Sequence, residues 1–101
     1  MIGVLLVTHG NFCESIKEST EMVLGFQKNF CSLPLDPGDD VANLRSRVLN
    51  KIQEMDQGEG VLVLVDLFGG SPYNAVASCL KCTHTECIAG MNFPMLLGIL
   101  E

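Results

Sequence analysis

Val61-Leu62-Val63-Leu64-Val65 is apolar at every position, with Gly60 before it and Asp66 after it. A run this short is a strand, and an uninterrupted apolar strand is buried on both faces, as in a parallel sheet covered by helices. Residues 2–7 form a second such run, β-branched or leucine-rich apart from Gly3, and are predicted as a strand of the same kind. The rest of the chain supplies the crossovers.

After His9 and Gly10, Asn11 is placed to cap a helix over residues 12–24, with Glu14 three residues on to return the bond. Phe12, Ile16, Val23 and Leu24 are its expected apolar stripe, and Gly25 ends it. Residues 30–35 read as a weaker strand, which Pro34 places at the sheet edge because proline cannot donate a ladder hydrogen bond. The turn at 36–40 ends in a capping acid. Leu44, Val48, Ile52 and Met55 then recur at helical spacing until residues 57–60 stop the helix. Beyond the central strand, Leu67, Phe68, Gly69 and Gly70 turn into a third helix, for which Ser71 is the expected cap and Pro72 the first residue. Residues 85–89 are a fourth strand. Gly90-Met91-Asn92-Phe93-Pro94 makes another strand-to-helix turn before Met95, Leu96 and Leu97.

This alternation predicts an α/β fold: a three-layer α/β/α sandwich with a mainly parallel four-stranded sheet, in a single domain over 1–101. A content of 48% hydrophobic and 18% charged residues suits a packed core and excludes a disordered segment. The formal charge of -6, with six Lys and Arg in all, excludes nucleic acid and suits a basic protein partner. No apolar run approaches the ~20 residues of a membrane span, and the N-terminus lacks the basic segment of a leader, so a cytoplasmic location is expected.

In open α/β sheets, ligands collect at the carboxyl ends of the strands, where this layout places His9, Asp66 and the turn at 90–94. The first and third strands are expected to be neighbours across the topological switch point, which brings a carboxylate to an imidazole. An Asp that accepts from Nδ1–H fixes the tautomer, leaves the Nε2 lone pair facing outward and stabilises positive charge on the ring. For His9 alone, a ring satisfied by a nearby backbone group would be the plainer reading; Asp66 shifts the balance. Gly69 and Gly70, ahead of a helix N-terminus, let the backbone approach an anion closely.

Val7-Thr8-His9-Gly10, Met22-Val23-Leu24-Gly25, the block at 60–74 that contains Asp66-Leu67-Phe68-Gly69-Gly70-Ser71-Pro72, and Gly90-Met91-Asn92-Phe93-Pro94-Met95-Leu96 carry a family likeness. Together they resemble the EIIA component of the mannose family of the bacterial phosphoenolpyruvate:sugar phosphotransferase system. The Asp-Leu-Phe-Gly-Gly-Ser-Pro block is the specific part. The resemblance implies a phosphotransferase in which His9 accepts a phosphoryl group from phospho-HPr and passes it to a histidine of an EIIB component during sugar uptake. It also implies that Asp66 orients the imidazole and that the protein is peripheral to a membrane sugar permease. Phosphoryl transfer needs aligned nitrogens and N–H groups for the equatorial oxygens, for which Gly10, Gly69, Gly70 and Ser71 are the candidates. Neither a metal nor an organic cofactor is required. Family members continue with a completed last helix and an antiparallel strand exchanged within a dimer. Because the sequence ends at Glu101, that C-terminal segment is expected to be absent, and a monomer or weak homodimer is expected.

Two other readings remain open. Ser71, His9 and Asp66 have the residue types of a hydrolytic triad, although Ser71 lacks the G-x-S-x-G elbow and better suits a helix cap. A regulatory binding module phosphorylated only as a signal would keep the same residues. The five cysteines read as reduced thiols. Cys79, Cys82, His84 and Cys87 have the residue types of a zinc site. However, Cys79 is expected to face the core from the third helix and Cys87 to lie in a buried strand, so gathering all four would distort both elements. No metal site is expected. The C-x-x-C also lies at a helix C-terminus, where the dipole raises a thiol pKa, which does not suit thioredoxin-like chemistry. His84 precedes a strand and is expected on the surface, at the opposite edge from His9.

Overall fold

A computed structural model describes residues 2–101. The strands β1 (Gly3–His9), β2 (Phe30–Leu35), β3 (Val61–Val65) and β4 (Thr85–Ala89) alternate with the helices α1 (Phe12–Leu24), α2 (Val41–Met55), α3 (Ser71–Ala77) and α4 (Phe93–Leu100). The strand order is β2-β1-β3-β4, and every ladder is parallel. The chain leaves β1 toward one side and returns to β3 on the other, so the switch point falls between these two strands, with Val7 opposite Val65. His9 is the last residue of β1, and Asp66 directly follows β3. Pro34 lies on the edge strand β2, opposite Thr8.

The sheet is covered on both faces. Leu5, Val7, Val63 and Val65 pack with Leu44, Val48, Ile52 and Met55 of α2 and with Ala75 and Val76 of α3. Val4, Leu6 and Leu64 pack on the opposite side with Cys13 and Ile16 of α1, Met91, and Leu96 of α4. Removing a fully buried leucine such as Leu5 or Leu64 would cost ~2–5 kcal/mol, because the sheet on either side cannot collapse into the space. Helix α2 follows its sequence pattern closely: its four spaced apolar residues are all buried, and Asp40 accepts the Asn43 N–H at 2.7 Å.

Three local expectations need correction. The buried stripe of α1 is Cys13, Ile16 and Thr20, while Phe12 and Val23 are exposed. Spacings of three and four define one helical face, which residues 12 and 23 only flank. Thr20 is tolerated there because its hydroxyl donates to the Ile16 carbonyl at 2.7 Å. Asn11 makes no side-chain capping bond; the Cys13 N–H goes instead to the Thr8 hydroxyl at 2.8 Å. Ser71 does not cap α3. Gly70 holds the cap position in an extended conformation, so Ser71 and Pro72 both lie inside the first turn.

Helix α4 begins at Phe93, two residues earlier than expected, because Asn92 accepts the Met95 N–H at 2.9 Å. Pro94 fits the first turn, where no N–H is needed. Among the described residues, no helix is long and apolar enough to cross a membrane.

Candidate functional site

The carboxyl edge of the sheet joins the two residues that the sequence placed there. Asp66 Oδ2 lies 2.8 Å from His9 Nδ1 and also accepts the His9 backbone N–H at 3.0 Å. Asp66 Oδ1 accepts the N–H of Leu67 at 3.1 Å. An ionised carboxylate can only accept, so Nδ1 carries a proton, and in the neutral ring Nε2 holds the free lone pair. Burial pushes the Asp66 carboxyl up, but the backbone and ring hydrogen bonds from His9, with the imidazole charge, outweigh it and hold the group below its usual range. Side-chain exposure separates the roles, at 49% for His9 and 12% for Asp66. The carboxylate is a sheltered anchor, and the ring is open to a reactant.

Gly70 brings the second stretch against that ring. A Cβ at Gly70 would stand 3.0 Å from His9 Cε1, 3.5 Å from Nε2 and 3.1 Å from a Leu67 methyl. Only a bare α-carbon leaves the imidazole its place. The turn reaches this position through Gly69, whose φ of +83° is open to glycine at little cost. Because Gly70 caps α3 without a side-chain bond and Pro72 has no N–H, the Ser71 and Tyr73 amides of the first turn have no intrahelical acceptor.

Gly10 serves differently from the expectation of a free amide. Its N–H donates to the Leu35 carbonyl at 2.7 Å, and its φ of +57° turns the chain from β1 into α1. Sequence reasoning also missed Thr8. Its hydroxyl is fully buried, accepts from Cys13 N and donates to the Gly10 carbonyl at 3.3 Å. The available signal was a hydroxyl at the end of an otherwise apolar strand. Exposed Phe12, Leu67 and Phe68 also belong to the two segments that form this site.

The remaining candidates lie elsewhere. Cys79 is buried just beyond α3, where its thiol is pushed up by burial, whereas Cys82 is exposed. Cys87 is only half-buried, because β4 is a sheet edge. Among the described residues, no group of three or more His, Cys, Asp or Glu side chains is arranged to hold a metal ion. His84 is exposed at the amino edge, ahead of β4.

Comparison with known proteins resolves what this architecture belongs to. The family model EIIA-man, described as "PTS system fructose IIA component", matches residues 3–101. The chain belongs to this EIIA family. It is 36% identical to the fructose-specific EIIA component of Bacillus subtilis (strain 168), an alignment that covers 100% of this chain and 70% of that one. It is 37% identical to the mannose-specific EIIAB component of Escherichia coli (strain K12), with 98% of this chain covered but only 31% of that longer protein. The crystal structure of the PTS IIA protein associated with the fucose utilization operon of Streptococcus pneumoniae superposes with a TM-score of 0.88. That alignment is 32% identical and covers 96% of this chain and 74% of the other. This EIIA chain is therefore a phosphotransferase component of the mannose-family type.

Proposed function

We propose that this EIIA chain is a phosphohistidine carrier that takes a phosphoryl group from phospho-HPr onto His9 and passes it to an EIIB component during sugar uptake. It would act in the cytoplasm, beside a membrane sugar permease. The observation that carries the reading is the 2.8 Å contact between His9 Nδ1 and Asp66 Oδ2, with the imidazole otherwise exposed.

The Nε2 lone pair attacks phosphorus as the bond from phosphorus to the donor imidazole breaks, and the donor nitrogen leaves with that electron pair. The proton on Nδ1 stays between His9 and Asp66, whose negative charge offsets the positive charge on the phosphorylated ring. Onward transfer reverses the roles: the Nε2–P bond breaks as the EIIB histidine attacks. The transition state is loose, with charge on the equatorial oxygens, so alignment and N–H donors are the protein's main contribution. Gly70 and Ser71 amides and the Ser71 hydroxyl form the cradle, Gly69 shapes it, and Gly10 turns the chain beneath it. This chemistry requires no metal or organic cofactor.

Incubation with phosphoenolpyruvate, enzyme I and HPr, followed by addition of EIIB, tests the proposal. Acid-labile phosphate should appear on the chain and then leave with EIIB. Label that forms and does not leave would favour a signalling module, and absence of label would refute the carrier reading.

A further inference from the structure

We infer that Thr8 is a positioning residue for transfer at His9: its buried hydroxyl ties the turn after His9 to the start of α1 and so fixes where the imidazole stands. This inference rests on the carrier reading for its kinetic consequence. The motivating observation is chemical. Thr8 is 0% exposed in a strand whose other buried residues are apolar, and a hydroxyl is costly there unless it is bonded. Both of its bonds go to the segment that follows His9, one accepted from the Cys13 N–H at 2.8 Å and one donated to the Gly10 carbonyl at 3.3 Å.

The Cys13 thiol also reaches the Gly10 carbonyl, at 3.9 Å, but a thiol is a weak donor, so the Thr8 hydroxyl is the stronger tie. Asn11 occupies the cap position of α1 without a capping side-chain bond, so the Thr8 hydroxyl does that work from inside the strand. The turn is held on its other sides by His9 N–H to Asp66 and Gly10 N–H to Leu35. These two bonds anchor it to β3 and β2, and Thr8 anchors it to α1. The imidazole lies between Asp66 on one side and the bare α-carbon of Gly70 on the other, with no slack at 3.0 Å for a Cβ there. A displacement of the turn by a few tenths of an ångström therefore disturbs either the Nδ1 bond or the exposure of Nε2.

Thr8→Val preserves shape and removes the hydroxyl, whereas Thr8→Ser restores it. Each variant of the full chain is phosphorylated by phospho-HPr, rates are normalised to folded protein, and the imidazole nitrogens of His9 are followed by NMR before phosphorylation. Thr8→Val should lower the rate at saturating donor by ~10-fold or more while KM stays within about twofold, and Thr8→Ser should return within about threefold of the parent. The His9 Nδ1 resonance should move toward that of free imidazole in Thr8→Val and return in Thr8→Ser. If Thr8→Val does not fold, Thr8→Ala is read in the same way. An unchanged saturating rate or an unchanged imidazole spectrum overturns the role of Thr8. Should the parent protein take no label on His9, the carrier reading fails, and the imidazole spectrum alone still decides whether Thr8 positions the ring.

Discussion

The two edges of the sheet each carry a histidine and a well-bonded carboxylate, yet they use them differently. At the carboxyl edge, Asp66 holds both the ring and the backbone N–H of His9. At the amino edge, Asp56 Oδ1 accepts the N–H groups of Gly58 at 2.8 Å and Gly60 at 3.0 Å, and the His84 carbonyl accepts the Val61 N–H at 3.0 Å. His84 packs so tightly on Gly60 that a Cβ there would stand 2.6 Å from its carbonyl oxygen. One carboxylate holds an exposed imidazole, and the other closes a loop. Strand direction accounts for the contrast. In a parallel sheet the carboxyl ends meet helix N-termini, where N–H groups and the dipole favour an anion, and the amino ends meet helix C-termini.

The contrast breaks most sharply at the histidines. His9→Ala should abolish phosphoryl labelling by phospho-HPr, and His84→Ala should leave the rate unaltered, as measured by acid-labile label on gels. Asp66→Asn should slow transfer by ~100-fold with the fold intact, since an amide can turn its NH2 toward Nδ1 and misplace the tautomer. Stopped-flow with phospho-HPr in excess reads this directly. Gly70→Ala should slow transfer by roughly several-fold, because φ at Gly70 suits any residue and only the imidazole and the Leu67 methyl must give way. Gly60→Ala at the other edge should leave transfer per folded molecule unchanged. It should cost ~1–3 kcal/mol of stability in urea titration, as a strained residue at φ +85° presses on a backbone oxygen.

The smallest effect is on acid stability. The Asp66 and Asp56 carboxyls both lie below their usual range; at Asp66 the His9 bonds outweigh a burial that raises it, and at Asp56 the backbone bonds from Gly58 and Gly60 lower it. A depressed folded value contributes stability that is fully present above the unfolded value of about 4 and is lost as pH falls through the folded one. Thermal melts below about pH 4 should therefore drop less steeply for Asp66→Asn than for the parent.

How much the sequence revealed depended on the kind of signal. Uninterrupted apolar runs marked β1 and β3, and the polar residues at their ends placed His9 and Asp66 at one edge of the sheet. Spacing of 44, 48, 52 and 55 marked the buried face of α2. The buried stripe of α1 was hidden because Cys13 and Thr20 are residue types that suit core or surface, and only the bond to Ile16 makes Thr20 a core residue. The cap of α1 was hidden for a different reason. Thr8 reaches Cys13 only after the chain has turned back at Gly10, and the Gly10 amide meets Leu35 only once β2 has taken its register. The placement of Gly70 against the ring likewise depends on how two separate strands align.

The most direct test of the central claim is to ask which nitrogen carries the phosphoryl group. The chain, labelled with 15N in its histidines, is phosphorylated through phosphoenolpyruvate, enzyme I and HPr, and its imidazole resonances are recorded before the label decays. With Nδ1 held by Asp66, the phosphoryl group should sit on Nε2 of His9, with the proton still on Nδ1. Phosphate on His9 Nδ1, or on His84, would contradict the account.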